Sequence, residues 1–589
     1  MLLPRPLLAF AALGHAAQPG AVKPVAAPMR DLTWGQLNFL HTTDTHGWLG
    51  GHMREPQYSA DWGDYISFSN HLRKRADDAG TDLLLVDTGD RIEGNGLYDA
   101  STPKGLFQYD IYAQQHVDII CIGNHELYQA YSADREHNTT VPNFKHNYIA
   151  SNLDYVDSSG RRKPLAQRYR RFKTKNQKLD IIAFGFLFDF TGNANNSVVQ
   201  PVAETVKEPW FQEAMRQKPD LFVVIGHVGL RMEEFRTIFT ALRKQNWHIP
   251  IIFFGGHAHV RDALSYDAQS ISLASGRYME TVGWLSVDGL KPKSASASAS
   301  SSVKFSRKYI DNNLYGMHYH TGLNETTFPT EEGVRVSGMI SRARKSLQLD
   351  EQYGCAPKDL WLNRAKYPGK DSIYSWIQDE VFPDIIVNET RKSKPRLALM
   401  NTGGMRFDIF KGPFTRDSAY LVNPFINRFN YVADVPYEVA KKVLGILNSA
   451  GKVLNMDMRY LTIPEQMFLS VAETQQEAPE THREARIELR SEGLIAGYTT
   501  NDDIGTDGDD TVHKPISFHA VPNCVQSEIN FPDGQPATVD VVFIDFLTPW
   551  IIPALKFSGG DYSEADVHGY MEGTLMYKLA EWIKTNWKC

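Results

Sequence analysis

The chain has 589 residues, with 62 Lys and Arg against 69 Asp and Glu, a formal net charge of -7 and a pI near 6.3. This length exceeds a single ordinary hydrophobic core, so we expect two or three domains. The absence of a basic excess argues against a nucleic-acid polymer as the main partner.

The first twenty residues have the layout of a secretory signal peptide. Arg5 precedes the apolar residues 7–17, which end in small side chains, and cleavage is expected shortly after Ala16 and Ala17. No later apolar stretch is long enough to span a bilayer, so we expect no membrane span and a lumenal or secreted protein. Four Asn-x-Ser/Thr tripeptides fit passage through a glycosylating lumen, although such tripeptides also arise by chance. They begin at Asn138, Asn195, Asn324 and Asn388.

Five apolar runs along the N-terminal half each end in a short polar motif. Continuous β-branched or aromatic runs are typical of strands buried on both faces, although periodicity alone does not separate them from buried helices. Helix-compatible segments intervene, so we expect parallel strands whose polar ends gather in one crevice. The runs are residues 37–40, 83–86, 119–122, 221–225 and 251–254. The motifs are Asp44-Thr45-His46, Gly89-Asp90, Gly123-Asn124-His125-Glu126, Gly226-His227 and Gly256-His257-Ala258-His259.

The motifs supply the ligand types that a pair of divalent cations needs. Two Asp, one Asn and four His combine carboxylate, amide and imidazole groups. Asp90 has two oxygens and can bridge two cations, whereas Asn124 offers a neutral oxygen that limits the negative charge. Two such cations polarise a phosphoryl oxygen and lower the pKa of a shared water. We therefore predict hydrolysis of a phosphate ester, with His125 left free to act on the substrate.

The five motifs resemble those of the calcineurin-like metallophosphoesterase superfamily over residues 35–320, and residues 42–96 are most similar to its 5′-nucleotidase branch. The resemblance implies an α/β fold with an N-terminal four-layer β-sandwich flanked by helices. It also implies that His125 contacts the scissile phosphate and that Asn124 helps to stabilise the charged transition state. One metal would bind Asp44, His46, Asp90 and His259, and the other Asp90, Asn124, His227 and His257.

A second block is similar to the signature of the 5′-nucleotidase C-terminal domain. It consists of residues 401–406, Asn-Thr-Gly-Gly-Met-Arg, followed by residues 423–427, Asn-Pro-Phe-Ile-Asn. The resemblance implies an α/β substrate-binding domain over residues 351–589, in which Asn401 and Arg406 bind substrate and Phe425 stacks on a nucleobase. Asn427 is a further candidate. Arg presents a fork of donors that fits phosphate, and an aromatic face accepts any base by stacking.

Three departures from the family pattern affect the expected site. Tyr128 stands where the family has an Asp that orients the catalytic His, so that His has a lower pKa, a different orienting partner or lower efficiency. A second stacking aromatic is expected shortly before a Gly-Gly-Asp turn, but an insertion leaves both Phe546 and Phe557 as candidates. Asp561, the last residue of that turn, is a further substrate-binding candidate. Relatives often carry a substrate-binding Arg where this chain has only Lys370, a weak substitute.

Residues 321–350 are predicted to link the two domains. Val334, Ile340, Ala343 and Leu347 approximate one face of a helix within this linker. A Ser/Ala tract between two strand-like runs, 282–287 and 303–310, predicts a hairpin with a disordered tip. The acidic residues 502–510 lack the spacing of a calcium loop and are interpreted as a solvated loop.

The four cysteines and a few polar residues receive structural interpretations. Cys121 lies in a predicted buried strand and is expected to be reduced, whereas Cys355, Cys524 and Cys589 could include one disulfide. The polar residues interpreted as structural are Asp87, a strand-end cap, and His41 and His52.

Together these observations predict a two-metal phosphomonoesterase that acts on nucleoside 5′-monophosphates, in the vacuole or outside the cell as for similar fungal proteins. The same metals would also cleave a UDP-sugar, a cyclic nucleotide or a non-nucleotide ester, because they recognise phosphate and not the group it carries. A metal-containing binding protein without catalysis is the second alternative. The sequence leaves the metals open among Zn, Mn, Fe and Mg, together with the preferred base and the oligomeric state.

Overall fold

The computed structural model describes residues 18–27, 29–290, 303–449, 461–467, 508–511, 513 and 516–589. The predicted signal peptide up to residue 17, the hairpin tip at residues 293–302 and acidic residues 502–507 lie outside the described residues. No helix of the described part is both long and apolar enough to cross a bilayer.

Twenty-one strands form the sheets of the described part of the chain. In chain order they are β1 Leu37–Thr42, β2 Asp82–Asp87, β3 Ile119–Ile120, β4 Leu153–Val156, β5 Arg162–Pro164, β6 Tyr169–Lys173, β7 Asp180–Leu187, β8 Ser197–Val199, β9 Leu221–His227, β10 Ile251–Gly255, β11 Arg261–Leu264, β12 Ser270–Ser275, β13 Thr281–Asp288, β14 Lys304–Asp311, β15 Gln352–Ala356, β16 Arg396–Asn401, β17 Gly412–Thr415, β18 Arg428–Pro436, β19 Cys524–Ile529, β20 Thr538–Ile544 and β21 Val567–Thr574.

The helices alternate with these strands in the N-terminal domain and surround the sheet of the C-terminal domain. The longer helices are Trp62–Asp78, Pro209–Arg216, Glu233–Gln245, Leu314–Thr321, Glu331–Ser346, Thr548–Phe557 and Leu575–Asn586. The shorter helices are Gly96–Asp99, Gln108–Tyr112, Ala130–Arg135, Val141–Phe144, Val202–Thr205, Ile373–Trp376, Phe382–Ile385, Arg416–Val422, Tyr437–Ala440, Val443–Ser449 and Pro464–Met467.

Two large sheets form most of the N-terminal domain, and a third sheet of three strands has the order β5-β4-β8. The first has the order β14-β13-β1-β2-β3, and the second has the order β11-β12-β10-β9-β7-β6. The predicted parallel pairing is confirmed for β1 with β2, β2 with β3, and β9 with β10. The five motif-bearing strands are thus divided between the two sheets, and the polar motifs lie where both sheets end.

The two sheets pack face to face, which explains the continuous apolar runs. Phe39 of β1 contacts Phe254 of β10 across the interface, with ring centroids 5.2 Å apart. Neighbouring residues of the same strands, such as Leu40 and Phe253, belong to a different buried cluster that also contains the helices. Successive side chains of a strand point to opposite faces, and both faces of each sheet are covered, so nearly every position of a run is apolar. The exception is Asn38, which is buried and donates to the Gly35 and Asp82 carbonyls.

The C-terminal domain has its own buried core and a mixed sheet with the order β19-β16-β20-β18-β21. A separate two-stranded sheet pairs β15 with β17. Cys355 of β15 forms a disulfide with the terminal Cys589, while Cys121 and Cys524 are free and buried. The expected single disulfide therefore forms without Cys524.

Residues 321–350 contain the predicted helix, but Val334 does not share a face with Ile340 and Ala343 as predicted. Thr330 caps the Glu331–Ser346 helix through the Gly333 amide. Val334 is 53% exposed, whereas Val336 and Ile340 are buried. Residues 336 and 340 lie one turn apart, so they face the same neighbour, whereas residue 334 is turned away by about half a turn.

The interpretation of residues 502–510 as a solvated loop is wrong for the described end of that stretch. Asp509 and Asp510 are buried against the N-terminal domain. Asp509 pairs with Arg261, and Asp510 accepts a hydrogen bond from His320 Nε2 at 2.8 Å. Charged groups are buried when they are paired, and the partners here come from more than 180 residues earlier in the chain, beyond the reach of local sequence patterns.

The predicted hairpin is confirmed, since β13 and β14 pair antiparallel from Thr281–Asp311 to Asp288–Lys304. The structural interpretations of three polar residues also agree with their contacts. His41 contacts Ser275 and Thr88, His52 contacts Glu55, and Asp87 accepts from the Gly89 amide.

Candidate metal and substrate site

The polar motifs meet in tight loops with an unusual backbone conformation. Five of the seven candidate metal ligands adopt a positive φ, between 45° and 71°. Non-glycine residues rarely adopt this conformation, and its strain is concentrated at functional sites. These residues are Asp44, His46, Asp90, His257 and His259.

Two motif glycines permit the close approach of these loops. A Cβ on Gly123 would lie 2.1 Å from Asp90 Oδ1, and one on Gly256 would lie 2.2 Å from Thr43 Oγ1. No side chain fits in either place without a shift of the loop. The glycines of the motifs are therefore required by packing of one loop on another.

The structure brings the predicted Asp and His ligands into two buried groups that share Asp90. The first contains Asp44, His46, Asp90 and His259, and the second contains Asp90, His227 and His257; within each group the ligand atoms lie within 4.8 Å of one another. His46 Nε2 and His259 Nε2 are 3.0 Å apart, and His227 Nε2 is 3.0 Å from Asp90 Oδ2. The shared carboxylate between two groups of imidazoles suits a dinuclear metal centre.

Backbone hydrogen bonds orient two of the ligand imidazoles. His46 Nδ1 donates to the carbonyl oxygens of Ile92 and Glu93, at 2.9 and 2.6 Å, and His227 Nδ1 donates to Thr88 O at 2.9 Å. In both residues Nε2 is then the ring atom that faces the shared Asp90 and is the one available to a metal. Such outer contacts fix the tautomer and the direction of a metal-binding ring.

Burial and the neighbouring charges set the protonation of the site. Burial lowers the pKa of His46 to about 3 and raises the pKa of Asp44 to about 7. Burial also lowers the pKa of His257 and His259 well below the ordinary value, so both imidazoles are neutral as metal ligands require. For His227, burial lowers the pKa, but the Asp90 and Asp44 carboxylates outweigh it and raise the pKa to about 9. A bound metal cation would supply the positive charge that protonated His227 otherwise provides for the Asp90 and Asp44 carboxylates.

Asn124 lies between Gly123 and His125, which both pack on Asp90, and its amide oxygen fits a metal as an additional ligand. Its Oδ1 is buried and has no hydrogen-bond partner among the described residues. Its Nδ2 donates to the Tyr128 hydroxyl at 3.2 Å. The amide is thus held by its nitrogen, and its oxygen is available to a cation, whose binding would satisfy an otherwise costly buried acceptor.

His125 is positioned over the same centre by contacts on both sides of the residue. Its backbone N–H donates to Asp90 Oδ1 at 2.8 Å, and its ring Nδ1 donates to Glu93 Oε2 at 2.8 Å. Burial lowers its pKa, but the Asp90 and Glu93 carboxylates outweigh burial, and the net pKa is raised. The pKa of His125 is therefore raised, which contradicts the expected lower pKa. The contact with Glu93 agrees with the other expectation, a different orienting partner.

The C-terminal domain contributes two side chains to the space above His125. Arg406 Nη2 lies 3.5 Å from His125 Nε2, and the Phe425 ring is stacked near the His125 ring with centroids 6.3 Å apart. The Arg406 guanidinium also lies over the Phe425 ring at 5.0 Å. A cation and an aromatic face from one domain thus meet the metal-ligand loops of the other.

Asn401 and Asn427 lie together beside Gly404, two residues before Arg406. A Cβ on Gly404 would contact Asn401 Oδ1 at 3.4 Å and Asn427 Nδ2 at 3.6 Å. Both of these atoms are buried and have no hydrogen-bond partner among the described residues. Unpaired buried polar atoms carry a free-energy cost of about 1–3 kcal/mol each, which a bound polar ligand would remove.

The remaining candidates lie outside this group of contacts. Phe546 and Phe557 are 41% and 57% exposed, and the Phe546 ring packs on Trp550 with centroids 5.4 Å apart. Asp561 and Lys370 are exposed. None of the described contacts joins these residues to His125, Arg406 or the metal ligands.

Glu93 was not predicted from the sequence as a site residue, yet it contacts both the candidate metal ligand His46 and the candidate catalytic residue His125. Its carbonyl accepts from His46 and its carboxylate accepts from His125. The available signal was its position three residues after Asp90, next to a glycine in the Gly89–Gly96 loop.

Comparison with known proteins gives matches in both domains. Residues 37–261 match the calcineurin-like phosphoesterase family, and residues 359–552 match the family described as NAD nucleotidase, C-terminal domain. A protein of Arthroderma benhamiae named secreted protein is 37% identical, over 97% of this chain and 93% of its own length.

Two crystal structures extend the match to the fold. The 5′-nucleotidase of Candida albicans superposes with a TM-score of 0.84 at 37% identity, covering 95% of this chain and 100% of that one. The 5′-nucleotidase precursor of Thermus thermophilus superposes with a TM-score of 0.57 at 15% identity, over 94% and 97% of the two chains, and supports the fold alone. The predicted fold class, with an N-terminal metallophosphoesterase domain and a C-terminal 5′-nucleotidase-type domain, is confirmed. The chain belongs to the calcineurin-like metallophosphoesterase superfamily and, within it, to the 5′-nucleotidase family.

Proposed function

We propose that this protein is a two-metal phosphomonoesterase that converts nucleoside 5′-monophosphates to nucleoside and phosphate. The observation that carries the proposal is the approach of Arg406 and Phe425 to His125 across the two domains. A 5′-monophosphate places a doubly charged phosphate one ribose away from a flat base, and this site offers metal ligands and a guanidinium beside an aromatic face. The match to a 5′-nucleotidase over nearly the whole chain supports the same substrate class.

The proposed metal ligands are Asp44, His46, Asp90, Asn124, His227, His257 and His259. Two divalent cations, when bound, would polarise the phosphoryl group and lower the pKa of a water between them. The ligand types fit Zn, Mn, Fe or Mg, and the four His favour a transition metal over Mg.

The chain's own groups would then act on the phosphate and on the base. His125, with Nδ1 donating to Glu93, holds Nε2 toward the substrate and would contact the phosphate or the leaving oxygen. The Arg406 guanidinium would bind a phosphoryl oxygen and offset the charge that develops in the transition state. Phe425 would stack on the base, and Asn401 and Asn427 would donate to or accept from polar groups of the nucleoside.

We also propose a role for the linker and a location for the protein. Residues 321–350 would act as the hinge between a domain at 35–320 and a substrate-binding domain at 351–589. A signal peptide at residues 1–20 would direct the chain to the secretory pathway, toward secretion or the vacuolar lumen. The disulfide between Cys355 and Cys589 and the relative named secreted protein support an oxidising compartment.

The test is phosphate release by Mn- or Zn-loaded protein from AMP, other nucleoside monophosphates, NAD, UDP-glucose and glycerol phosphate. We expect nucleotide-selective release that is lost in His125→Ala and Arg406→Ala, with Lys244→Ala as the exposed cationic control. Release that is indifferent to the base and to Arg406 would indicate a general phosphatase. Full metal binding without release from any substrate would favour the binding-protein alternative.

A further inference from the structure

We propose that Glu93 is the positioning residue for His125, in the place of the carboxylate that position 128 lacks in this chain. This inference rests on the proposed function of His125 at the phosphate. Position 128 carries a Tyr, whose ring packs edge-on against the His125 ring with centroids 5.0 Å apart. Its hydroxyl accepts from Asn124 Nδ2 and so holds a proposed metal ligand, not His125.

The geometry of Glu93 suits this positioning role. Its Oε2 accepts from His125 Nδ1 at 2.8 Å, and the two side chains are only 11% and 5% exposed. A carboxylate at this distance accepts the Nδ1 proton and leaves Nε2 directed at the substrate side, where Arg406 Nη2 lies at 3.5 Å. The ring can then neither flip nor exchange its tautomer without losing a buried charge-assisted hydrogen bond.

The loop that carries Glu93 is held in a fixed and strained shape. Glu93 has a φ of +61°, a conformation that glutamate rarely adopts. The next residue, Gly94, packs so closely on His46 that a Cβ there would lie 3.0 Å from His46 Cβ. The Gly94 amide donates to Asp99 Oδ2 at 2.8 Å, and Asp99 is paired with Lys104. Strain of this kind persists where the surrounding structure determines the position of one side chain.

Position 93 therefore links the two functions of the site. Its carbonyl orients His46, a proposed metal ligand, and its carboxylate orients His125, the proposed catalytic group. Because a side-chain substitution removes only the second contact, the two roles can be separated by experiment. Truncation of the carboxylate should change turnover while the metals remain bound.

The test compares wild type, Glu93→Ala, the double variant Glu93→Ala/Tyr128→Asp and the exposed control Glu204→Ala, all loaded with Zn. We expect Glu93→Ala to lower kcat for AMP by about 10- to 100-fold, the usual effect of removing such a partner, with KM changed less than about twofold. The double variant, which restores a carboxylate at position 128, should have a kcat at least about tenfold above that of Glu93→Ala. Glu204→Ala should match wild type.

Metal content and the orientation of His125 give readouts that do not depend on activity. Glu93→Ala should retain the wild-type metal content, and its crystal structure should show the His125 ring turned or disordered. For Glu93→Ala, a kcat within about twofold of wild type, loss of metal or an unchanged His125 ring would each overturn the inference. If wild type itself releases no phosphate from AMP, the proposed function fails, and the crystal structures and metal contents still decide the role of Glu93.

Discussion

Asp408, two residues after Arg406, gives a quantitative test of the packing next to the proposed substrate-binding residues of the C-terminal domain. It is 5% exposed, its Oδ1 accepts from the Leu362 amide at 2.7 Å, and Arg364 Nη1 lies 3.8 Å from its Oδ2. Burial raises its pKa from 3.8 to about 6, more than the Arg364 charge lowers it. The ionised carboxylate is therefore unfavourable in the folded protein, and substitution to Asn should increase the free energy of unfolding at neutral pH.

The magnitude and the sign follow from the two pKa values. A tenfold change in proton affinity is worth about 1.4 kcal/mol, so a pKa of about 6 in place of 3.8 corresponds to about 2–3 kcal/mol. Because the folded-state pKa is the higher one, the folded state binds the proton more tightly, and this stabilisation is present below a pH of about 4. It is lost as the pH rises through about 6.

The assay is urea unfolding of wild type and Asp408→Asn, followed by circular dichroism across this pH range. Asn retains an oxygen that accepts from Leu362, so the variant should unfold with similar free energy to wild type in acid and with about 2–3 kcal/mol more at neutral pH. The exposed Asp533→Asn should show no such trend. A difference that is constant with pH, or a neutral-pH loss of stability in Asp408→Asn, would refute the reasoning.

Three further predictions follow. Arg344→Leu should lower the free energy of unfolding by about 3–5 kcal/mol, because Arg344 Nη1 pairs with buried Asp417 at 2.6 Å; a loss below about 1 kcal/mol in urea unfolding would contradict this. His227→Ala should lose one of two bound metals by elemental analysis and lower phosphate release by at least about 10- to 100-fold, and full metal content would oppose the assignment. Peptide mapping of secreted protein should find glycan on exposed Asn324 and none on Asn388, whose Nδ2 donates to a backbone carbonyl; the reverse occupancy would contradict the structure.

The motif strands could be predicted because their physical signal is local. Residues 251–254 are apolar at every position and residues 37–40 at every position except Asn38, and the structure places both runs in strands covered on both faces. The polar residues that follow them then meet at the sheet ends, so the gathering of the motifs in one crevice could be anticipated from the strand order. The grouping of Asp44 with His259 was implied by the family resemblance. The division of these strands between two sheets is a tertiary property that no run of residues encodes.

Features that depend on contacts between distant segments could not be predicted in this way. Glu93 resembles any surface glutamate in sequence, and its role depends on how close the loop after Asp90 comes to His125. Asp509 and Asp510 lie in an acidic stretch typical of a solvated loop, yet Arg261 and His320 compensate their burial. In each case the partner that decides the environment lies 32 or more residues away.

The most direct test of the proposed function is the ratio of kcat/KM for AMP to that for glycerol phosphate, measured in metal-loaded wild type and in Phe425→Ala. Both substrates present the same phosphate to the metals and Arg406, but only AMP offers a base to the Phe425 ring. Base stacking is worth about 1–3 kcal/mol, so we predict a ratio well above one that falls by about 5- to 150-fold in the variant. An equal ratio in the two proteins would contradict nucleotide recognition by the C-terminal domain.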